Sequence, residues 1–321
     1  MAFEIVKNVL SKTSVRGIVF SFLVLTIFAL FLSHILFVNS ADANHRTTPT
    51  VSTRNHFWPY GILNWWWHTP TDYVPTDIPG CSPNREIVIH VHGWGINEEQ
   101  AIDRFNIIKK SLISVGYTQP IIGFTWDSDL YWNNAINAAT QNGHKLAQFI
   151  LDYKMACEHA NIRIVGHSLG ARVVLNTLES LYNNGIWTGR DYTVASAHLM
   201  GAAVNPIEVS GDYFGSSIQN VTDESHNKYS PQDDMLEGLY YDVHGHRALG
   251  EIGAENIGLS LPANYDEEDV AVEISPDTDG DGDNDLPSPG DNHSGYIGVV
   301  RNGVVTSNGV VDILVSNWQE N

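Results

Sequence analysis

The sequence predicts an α/β protein in which helices cover both faces of a mostly parallel central β-sheet. Short runs of apolar residues alternate with longer stretches of helical periodicity between residues 86 and 203. Strands that are apolar throughout belong to sheets buried on both faces, which are typically parallel. The composition agrees with this fold class, since 43% of the 321 residues are hydrophobic and 17% are charged, enough for a packed core.

The predicted strands and helices alternate along the chain. Strands joined by helices pair in parallel within one sheet. Because one sheet would contain all of these strands, we expect one domain over residues 81–321. The strands are predicted at residues 86–91, 121–126, 162–165, about 193–203 and about 269–274, and the helices at about 98–115, 132–157 and 170–182.

Residues 1–43 are predicted to be a signal peptide or a membrane anchor. Residues 17–38 carry no charge, and three basic residues lie shortly before them. As a helix this run would span about 33 Å, close to a bilayer core, and its basic flank would stay in the cytoplasm. Ala41-Asp42-Ala43 offers a signal-peptidase site. The segment is either cleaved off or retained as a membrane anchor through residues 17–38. In both cases the domain lies outside the cytoplasm.

Residues 44–80 are predicted to form a linker and an aromatic arm, with large rings at 57–60 and 65–67. Aromatic side chains usually bury area in a core, so we interpret the arm as packing against the domain. The alternative is a surface that contacts a lipid or a polymer near the mouth of the site.

The chain is strongly acidic, with a net charge of −20. It therefore lacks the excess positive charge with which proteins bind phosphate groups. We expect no nucleic-acid partner.

The two cysteines, Cys81 and Cys157, permit one disulfide in an exported protein. If the strands that follow them are neighbours in the sheet, both cysteines lie at the same edge and a bridge is reasonable. Otherwise they are two unpaired thiols.

The segment Gly166-His167-Ser168-Leu169-Gly170 matches G-x-S-x-G directly after a predicted strand and before a predicted helix. In this context the serine occupies a strained strand-to-helix turn, where flanking glycines avoid clashes. The turn directs the hydroxyl out of the sheet, above a helix N-terminus that favours negative charge. Ser168 is therefore predicted to be a nucleophile.

An acyl-transfer enzyme also needs hydrogen-bond donors for an oxyanion. We predict the backbone N–H groups of Leu169, directly after the serine, and of Trp94, in the turn His92-Gly93-Trp94 after the first predicted strand. The alternative for this turn is an ordinary strand-to-helix connection.

A histidine base is expected late in the chain, after the serine and the acid. Of the five histidines that follow the serine, His293 fits best, because it comes after the last predicted strand on a loop that precedes a short helical stretch. His198 falls within a predicted strand and is interpreted as a core residue. His244 and His246, in a glycine-containing turn, are the alternatives, and His226 is the fifth.

One carboxylate should bond the histidine and fix its tautomer. Asp233 and Asp234 follow a short predicted strand, and we assign this role to Asp233. Asp234, expected to cap the following turn, is the first alternative, and Glu208 is the second.

Four segments together resemble the esterase and lipase-like branch of the α/β-hydrolase superfamily: His92-Gly93-Trp94, Gly166-His167-Ser168-Leu169-Gly170, Tyr229-Ser230-x-x-Asp233 and Asn292-His293-Ser294-x-Tyr296. The resemblance covers roughly residues 80–315. It implies an α/β-hydrolase fold, a triad of Ser168, Asp233 and His293, and oxyanion donors at Trp94 and Leu169. It also implies that the strands after Cys81 and Cys157 are neighbours, which favours the disulfide. It does not fix a substrate, because one fold hosts many activities.

An acidic loop at residues 277–285 departs from the superfamily pattern. Oxygen ligands at alternate positions, with a glycine for the turn, suit calcium, and we predict Asp277, Asp279, Asp281 and Asp285 as the ligands. The loop resembles short calcium loops of the dockerin or thrombospondin type, but Ser288 stands where an EF-hand has glutamate. A solvated acidic loop is the alternative.

Taken together, the sequence predicts an exported serine hydrolase that acts on carboxylic esters, lipid-like ones included. No organic cofactor is implied, and calcium would be structural. A peptidase or amidase with the same triad is the first alternative, and a non-catalytic, calcium-dependent surface binding module is the second.

Overall fold

Among the residues that the structure describes, eight β-strands form one sheet, in which seven strands are parallel and one edge strand is antiparallel to its neighbour. The computed structural model describes residues 48–54, 73–81, 85–254, 260–275 and 292–319. The strands are β1 (Thr50–Ser52), β2 (Val74–Thr76), β3 (Glu86–Val91), β4 (Ile121–Thr125), β5 (Asn161–His167), β6 (Val194–Met200), β7 (Thr222–Tyr229) and β8 (Tyr265–Asp269), and their order in the sheet is β2-β1-β4-β3-β5-β6-β7-β8.

Helices connect the strands and cover the sheet. A separate two-stranded sheet, β9 (Val299–Arg301) and β10 (Val304–Ser307), follows a short 3₁₀ helix at Asn292–Ile297. A second 3₁₀ helix lies at Pro206–Val209 and a π-helical turn at Leu236–Tyr240. The α-helices are α1 (Glu98–Ser114), α2 (Trp132–Ala156), α3 (Gly170–Tyr182), α4 (Gly185–Gly189), α5 (Gly215–Val221), α6 (Tyr241–His244), α7 (Leu249–Ile252) and α8 (Val311–Gln319).

Two apolar layers, one on each face of the sheet, form the core. Alternate residues of β3 divide between them: Ile87 and Ile89 join the layer with α2 and α3, whereas Val88 joins the layer with α1 and α8. The helices α2 and α3 approach closely at Gly143, where a Cβ would collide with Asn176. Both faces are thus covered, and the predicted fold class is confirmed.

The central strands lie within three residues of their predicted ends, but the prediction for the last strand was wrong. The alternating apolar residues of 269–274 suggested a strand there, whereas β8 is the charged segment Tyr265–Asp269. Its carboxylates have partners on the neighbouring strand, since Glu268 pairs with the buried Lys228 at 2.7 Å and Glu267 accepts from Asn227 at 2.9 Å. Cross-strand pairing therefore makes a charged edge strand stable.

Cys81 and Cys157 are joined by a disulfide, with their Cα atoms 5.3 Å apart. They precede β3 and β5, which pair in parallel. The predicted bridge is confirmed, together with the strand adjacency on which it depended.

Among the described residues, no helix is long and apolar enough to cross a membrane. The apolar run at 17–38, the possible cleavage site and the aromatic clusters at 57–60 and 65–67 lie outside the described residues.

Candidate active site

Ser168 lies in a tight turn between the end of β5 and the start of α3. Its φ of 57° is in the left-handed region, which costs a residue with a side chain roughly 1–2 kcal/mol. Two hydrogen bonds tie the turn to the end of β6 and the residues after it, from Ser168 N to Met200 O at 2.9 Å and from Ala203 N to Ser168 O at 3.2 Å. The strained strand-to-helix turn indicated by G-x-S-x-G is therefore present.

The two glycines of this segment are explained by close contacts. A Cβ on Gly166 would lie 2.7 Å from Val174 Cγ2, and one on Gly170 would collide with the carbonyl oxygen of Val91. Because these contacts join β5, β3 and the first turn of α3, any larger residue would separate elements that position Ser168.

His293 and Asp233 form a buried hydrogen-bonded pair. His293 Nδ1 is 2.7 Å from Asp233 Oδ2, and Asp233 has no exposed surface. An ionised carboxylate only accepts hydrogen bonds, so Nδ1 carries the proton and Nε2 of the neutral ring is an acceptor. Ser168 and His293 line the same cavity, so the structure brings together the three residues that the sequence selected.

The other contacts of Asp233 hold its carboxylate in place. Oδ1 accepts from the Leu236 N–H at 3.1 Å. Burial, followed by the negative charge of Asp233, raises the pKa of Tyr296 well above its ordinary value, so this phenol stays neutral beside the carboxylate. Asp233 therefore faces donors and a neutral ring in a site closed to solvent.

The two alternative acids lie elsewhere. Asp234 has an exposed side chain, and burial and the charge of Asp233 raise its pKa. We expected Asp234 to cap the following turn, which was wrong, because the carboxylate of Asp233 itself receives the Leu236 N–H. Glu208 pairs with Arg172 at 2.8 Å.

The other late histidines are bonded away from Asp233. His198, buried in β6, accepts from Trp318 Nε1 at 2.8 Å and stacks on His226. His244 accepts from Trp132 Nε1 at 2.9 Å. His246 lies 3.2 Å from the side chain of Asn205.

Hydrogen bonds of Asn292 and His293 hold the segment that carries the histidine in place. His293 belongs to the 3₁₀ helix rather than to the predicted loop before it. His167 Nε2 lies 2.7 Å from the carbonyl oxygen of His293, to which it donates. The Asn292 side chain receives the Asp234 N–H at 3.1 Å and donates to the carbonyl of Gln232. Asn292 thus ties the histidine segment to the acid loop.

The turn after β3 lies directly against Ser168. A Cβ on Gly93 would be 2.7 Å from Ser168 Cβ. The Trp94 indole N–H donates to Leu130 O at 2.7 Å. Among the described residues, neither the backbone N–H of Trp94 nor that of Leu169 has a hydrogen-bond acceptor. Both amides are therefore available to an oxygen atom bound beside Ser168.

Arg54 was not identified from the sequence, although it holds this turn. Its Nη2 donates to Ile96 O at 2.8 Å and lies 3.2 Å from His92 Nε2. The Trp126 N–H donates to the same ring nitrogen at 3.3 Å, and the indole N–H of Trp126 donates to His92 O at 3.0 Å. The turn is thus fixed on both sides of Gly93.

Two adjacent cavities open beside Ser168. The larger, about 140 Å³, has a mixed polar and apolar wall that includes His90, Arg104 and His167. The smaller, about 50 Å³, has an apolar wall that includes Leu236 and Leu239. Trp94, Met235 and His293 border both, as Ser168 does.

Three buried histidines that line the larger cavity have lowered pKa values. Burial, aided by the charge of Arg104, lowers the pKa of His90 to about 3. Burial likewise lowers the pKa of His92 and of His167 well below the ordinary value. His90 was not identified from the sequence, because a histidine within a strand is usually a core residue.

No cluster of three or more histidine, cysteine or acidic side chains that could hold a metal occurs within the described ranges. The predicted calcium ligands Asp277, Asp279, Asp281 and Asp285 lie outside those ranges.

A comparison with protein families agrees with this architecture. A family model described as "Alpha/beta hydrolase of unknown function (DUF900)" matches residues 76–238. A search of curated proteins finds no match.

Similar solved structures include an uncharacterized protein from Bacillus cereus ATCC 10987, at 14% identity and a TM-score of 0.40 over 76% of this chain. The chain spans 62% of the length of that protein. An acetylxylan esterase matches at 12% identity and a TM-score of 0.35, over 67% of this chain and 92% of its own. Lipase B from Aspergillus fumigatus matches at 12% identity and a TM-score of 0.37, over 71% of this chain and 60% of its own.

Proposed function

The chain belongs to the DUF900 family of alpha/beta hydrolases, and we propose that it is a serine hydrolase that cleaves carboxylic esters. The observation that carries this proposal is the 2.7 Å pair of His293 and Asp233 beside Ser168, which is held at a φ of 57°. A nucleophile, a base with a fixed tautomer and a buried acid are the three parts that this chemistry requires.

In the proposed first step, His293 Nε2 takes the proton of the Ser168 hydroxyl while the oxygen attacks the ester carbonyl carbon. Asp233 keeps the proton on Nδ1 and stabilises the imidazolium that forms. Collapse of the tetrahedral intermediate breaks the bond to the alcohol oxygen, which takes the proton from Nε2. The products are a free alcohol and an acyl group on Ser168.

In the second step, His293 removes a proton from water, whose oxygen attacks the acyl carbon. Collapse of this second tetrahedral intermediate breaks the bond to Ser168 Oγ, which takes the proton back from Nε2, and the acid is released. The backbone N–H groups of Trp94 and Leu169 are proposed to hold the oxyanion in both steps. Their lack of an acceptor among the described residues supports this role, because donors that are already oriented need little reorganisation as charge develops.

The proposed substrate is an ester with an apolar part, lipid-like esters included. An open pocket bordered by Trp94, Trp132 and the largely exposed Tyr131 adjoins the smaller cavity and supports an apolar binding surface. The mechanism needs no organic cofactor.

We also propose that the domain works outside the cytoplasm, secreted or anchored through residues 17–38. The Cys81–Cys157 disulfide supports this location, because disulfides persist mainly in oxidising compartments.

Calcium at Asp277, Asp279, Asp281 and Asp285 remains a proposal from the sequence. It would order residues 277–285 shortly before His293, so chelation is expected to lower the melting temperature and the activity together. Unchanged values of both after treatment with EDTA would refute a structural calcium.

The function is tested by labelling the protein with a fluorophosphonate probe, which reacts with activated serines, and by following p-nitrophenyl acetate hydrolysis. We expect both signals in the wild type and in Ser216→Ala, a control at an exposed serine, and neither in Ser168→Ala. A folded wild type without labelling would refute the proposal. Cleavage of matched anilides faster than esters would instead identify an amidase.

A further inference from the structure

The larger cavity beside Ser168 contains a buried imidazole without a hydrogen-bond partner. His90, on β3, is 1% exposed, and neither ring nitrogen has a partner among the described residues. Buried polar side chains are almost always hydrogen-bonded, so an exception that borders a cavity points to a ligand or an ordered water.

His167, which lines the same cavity, also has an acceptor nitrogen. His167 donates through Nε2 to the carbonyl of His293 at 2.7 Å, and a neutral ring then has an unprotonated Nδ1. His90 and His167 both line the cavity, and His90 adds one donor and one acceptor. The wall is therefore suited to a group that can both donate and accept.

A hydroxyl group meets this requirement better than a carboxylate. A hydroxyl can accept a hydrogen bond from an imidazole N–H and donate one to an unprotonated ring nitrogen. An ionised carboxylate has no proton to donate.

The size of the cavity suits a short chain. A cavity of about 150 Å³ accommodates benzene, a molecule of six heavy atoms, and this one is about 140 Å³. Because Ser168 and His293 border the cavity, a group bound there is continuous with the carbonyl that the serine would attack.

We propose that this cavity binds the acyl group of the substrate and selects a short acyl chain that carries a hydroxyl, with His90 as the residue that determines this specificity. The assignment rests on the proposed ester-hydrolase function.

The test compares kcat/KM for p-nitrophenyl 3-hydroxybutanoate and p-nitrophenyl butanoate. Because the ratio of the two values does not depend on the fraction of folded enzyme, it remains valid for a variant that folds poorly. We expect the wild type to prefer the hydroxylated ester about tenfold, since pairing a buried polar group favours the substrate that pairs it.

In His90→Phe the ratio is expected to fall to about one. His90→Gln keeps a donor and an acceptor and should retain part of the preference. The matched control is His198→Phe, which removes a fully buried imidazole from β6, outside the cavity, and should leave the ratio unchanged. A wild-type ratio of one or less, or a ratio that His90→Phe does not alter, overturns the proposal.

Binding to Ser168→Ala separates this inference from the proposed function. If the wild type cleaves neither ester but Ser168→Ala binds the hydroxylated ester about tenfold more tightly than the other, the function fails and the specificity stands. If the wild type cleaves both esters equally well, the function stands and the specificity fails.

Discussion

Gly93→Ala tests whether the turn after β3 must lie against Ser168. The new Cβ would be 2.7 Å from Ser168 Cβ and 3.1 Å from its Oγ. Ordinary contacts begin near 3.4 Å, so the turn or the serine has to move by about 0.7 Å. A displacement of 1 Å in an active site costs about 10²-fold in rate, and the expected loss in kcat is therefore about 30-fold.

The assay is steady-state hydrolysis of p-nitrophenyl acetate, with urea unfolding of the same preparations. We expect KM to change little, because the turn contributes mainly to the transition state, and the free energy of unfolding to fall by about 1–3 kcal/mol from overpacking. Gly185→Ala is the control, since a Cβ there has no neighbour within 4 Å. A folded Gly93→Ala enzyme that keeps kcat within threefold of the wild type would refute the reasoning.

Four further predictions concern the rest of the site and its support. Asp233→Asn should lower kcat about 10³–10⁴-fold with the fold intact, because asparagine no longer selects the Nδ1–H tautomer of the base; a loss below tenfold would contradict this. Arg54→Met should lower kcat about tenfold because the turn after β3 loses its hydrogen bonds to Arg54, and Arg54→Lys should be intermediate. Kinetics equal to the wild type would show that Arg54 is not needed to hold the turn. Reduction of the Cys81–Cys157 bridge, which closes a 76-residue separation, should cost about 2–4 kcal/mol in urea unfolding without changing kcat, and an unchanged midpoint would count against it. The pKa of His90 is about 3 in the folded protein and ordinary in the unfolded chain, so the unfolded chain binds more protons below pH about 6.5 and the wild type loses stability as the pH falls. Between pH 7.5 and pH 5, the free energy of unfolding of His90→Phe should therefore fall by about 2 kcal/mol less than that of the wild type. Identical pH profiles of unfolding for the two proteins would contradict this.

The central strands and the order of Ser168, Asp233 and His293 could be predicted because the patterns that indicate them lie within short stretches of sequence. Buried parallel strands are apolar at every position, and a nucleophile in a strand-to-helix turn needs glycines around it. His293 was chosen among five later histidines by its late position in the chain and by the segment Asn292-His293-Ser294-x-Tyr296. Its 2.7 Å contact with Asp233 supports that choice.

Arg54 and β8 could not be predicted in this way because their reasons are tertiary. Arg54 forms hydrogen bonds with His92 and Ile96. No sequence pattern near residue 54 predicts these contacts. The charges of β8 argue against a strand until Lys228 is seen to pair with Glu268. Propensity describes a segment by itself, whereas burial and pairing belong to the assembled sheet.

The order of the strands also explains a residue that carries no chemistry. Ser168 follows β5 and Asp233 follows β7, so β6 lies between the proposed nucleophile and the proposed acid. β6 is followed by Gly201, at a φ of 52°, where a Cβ would lie 2.7 Å from the Tyr296 ring and 3.1 Å from Asp233 Oδ2. A side chain there would occupy the space through which Asp233 reaches the base. The strand between nucleophile and acid must therefore end without a side chain, and the acid can sit two strands away from the serine and still orient His293.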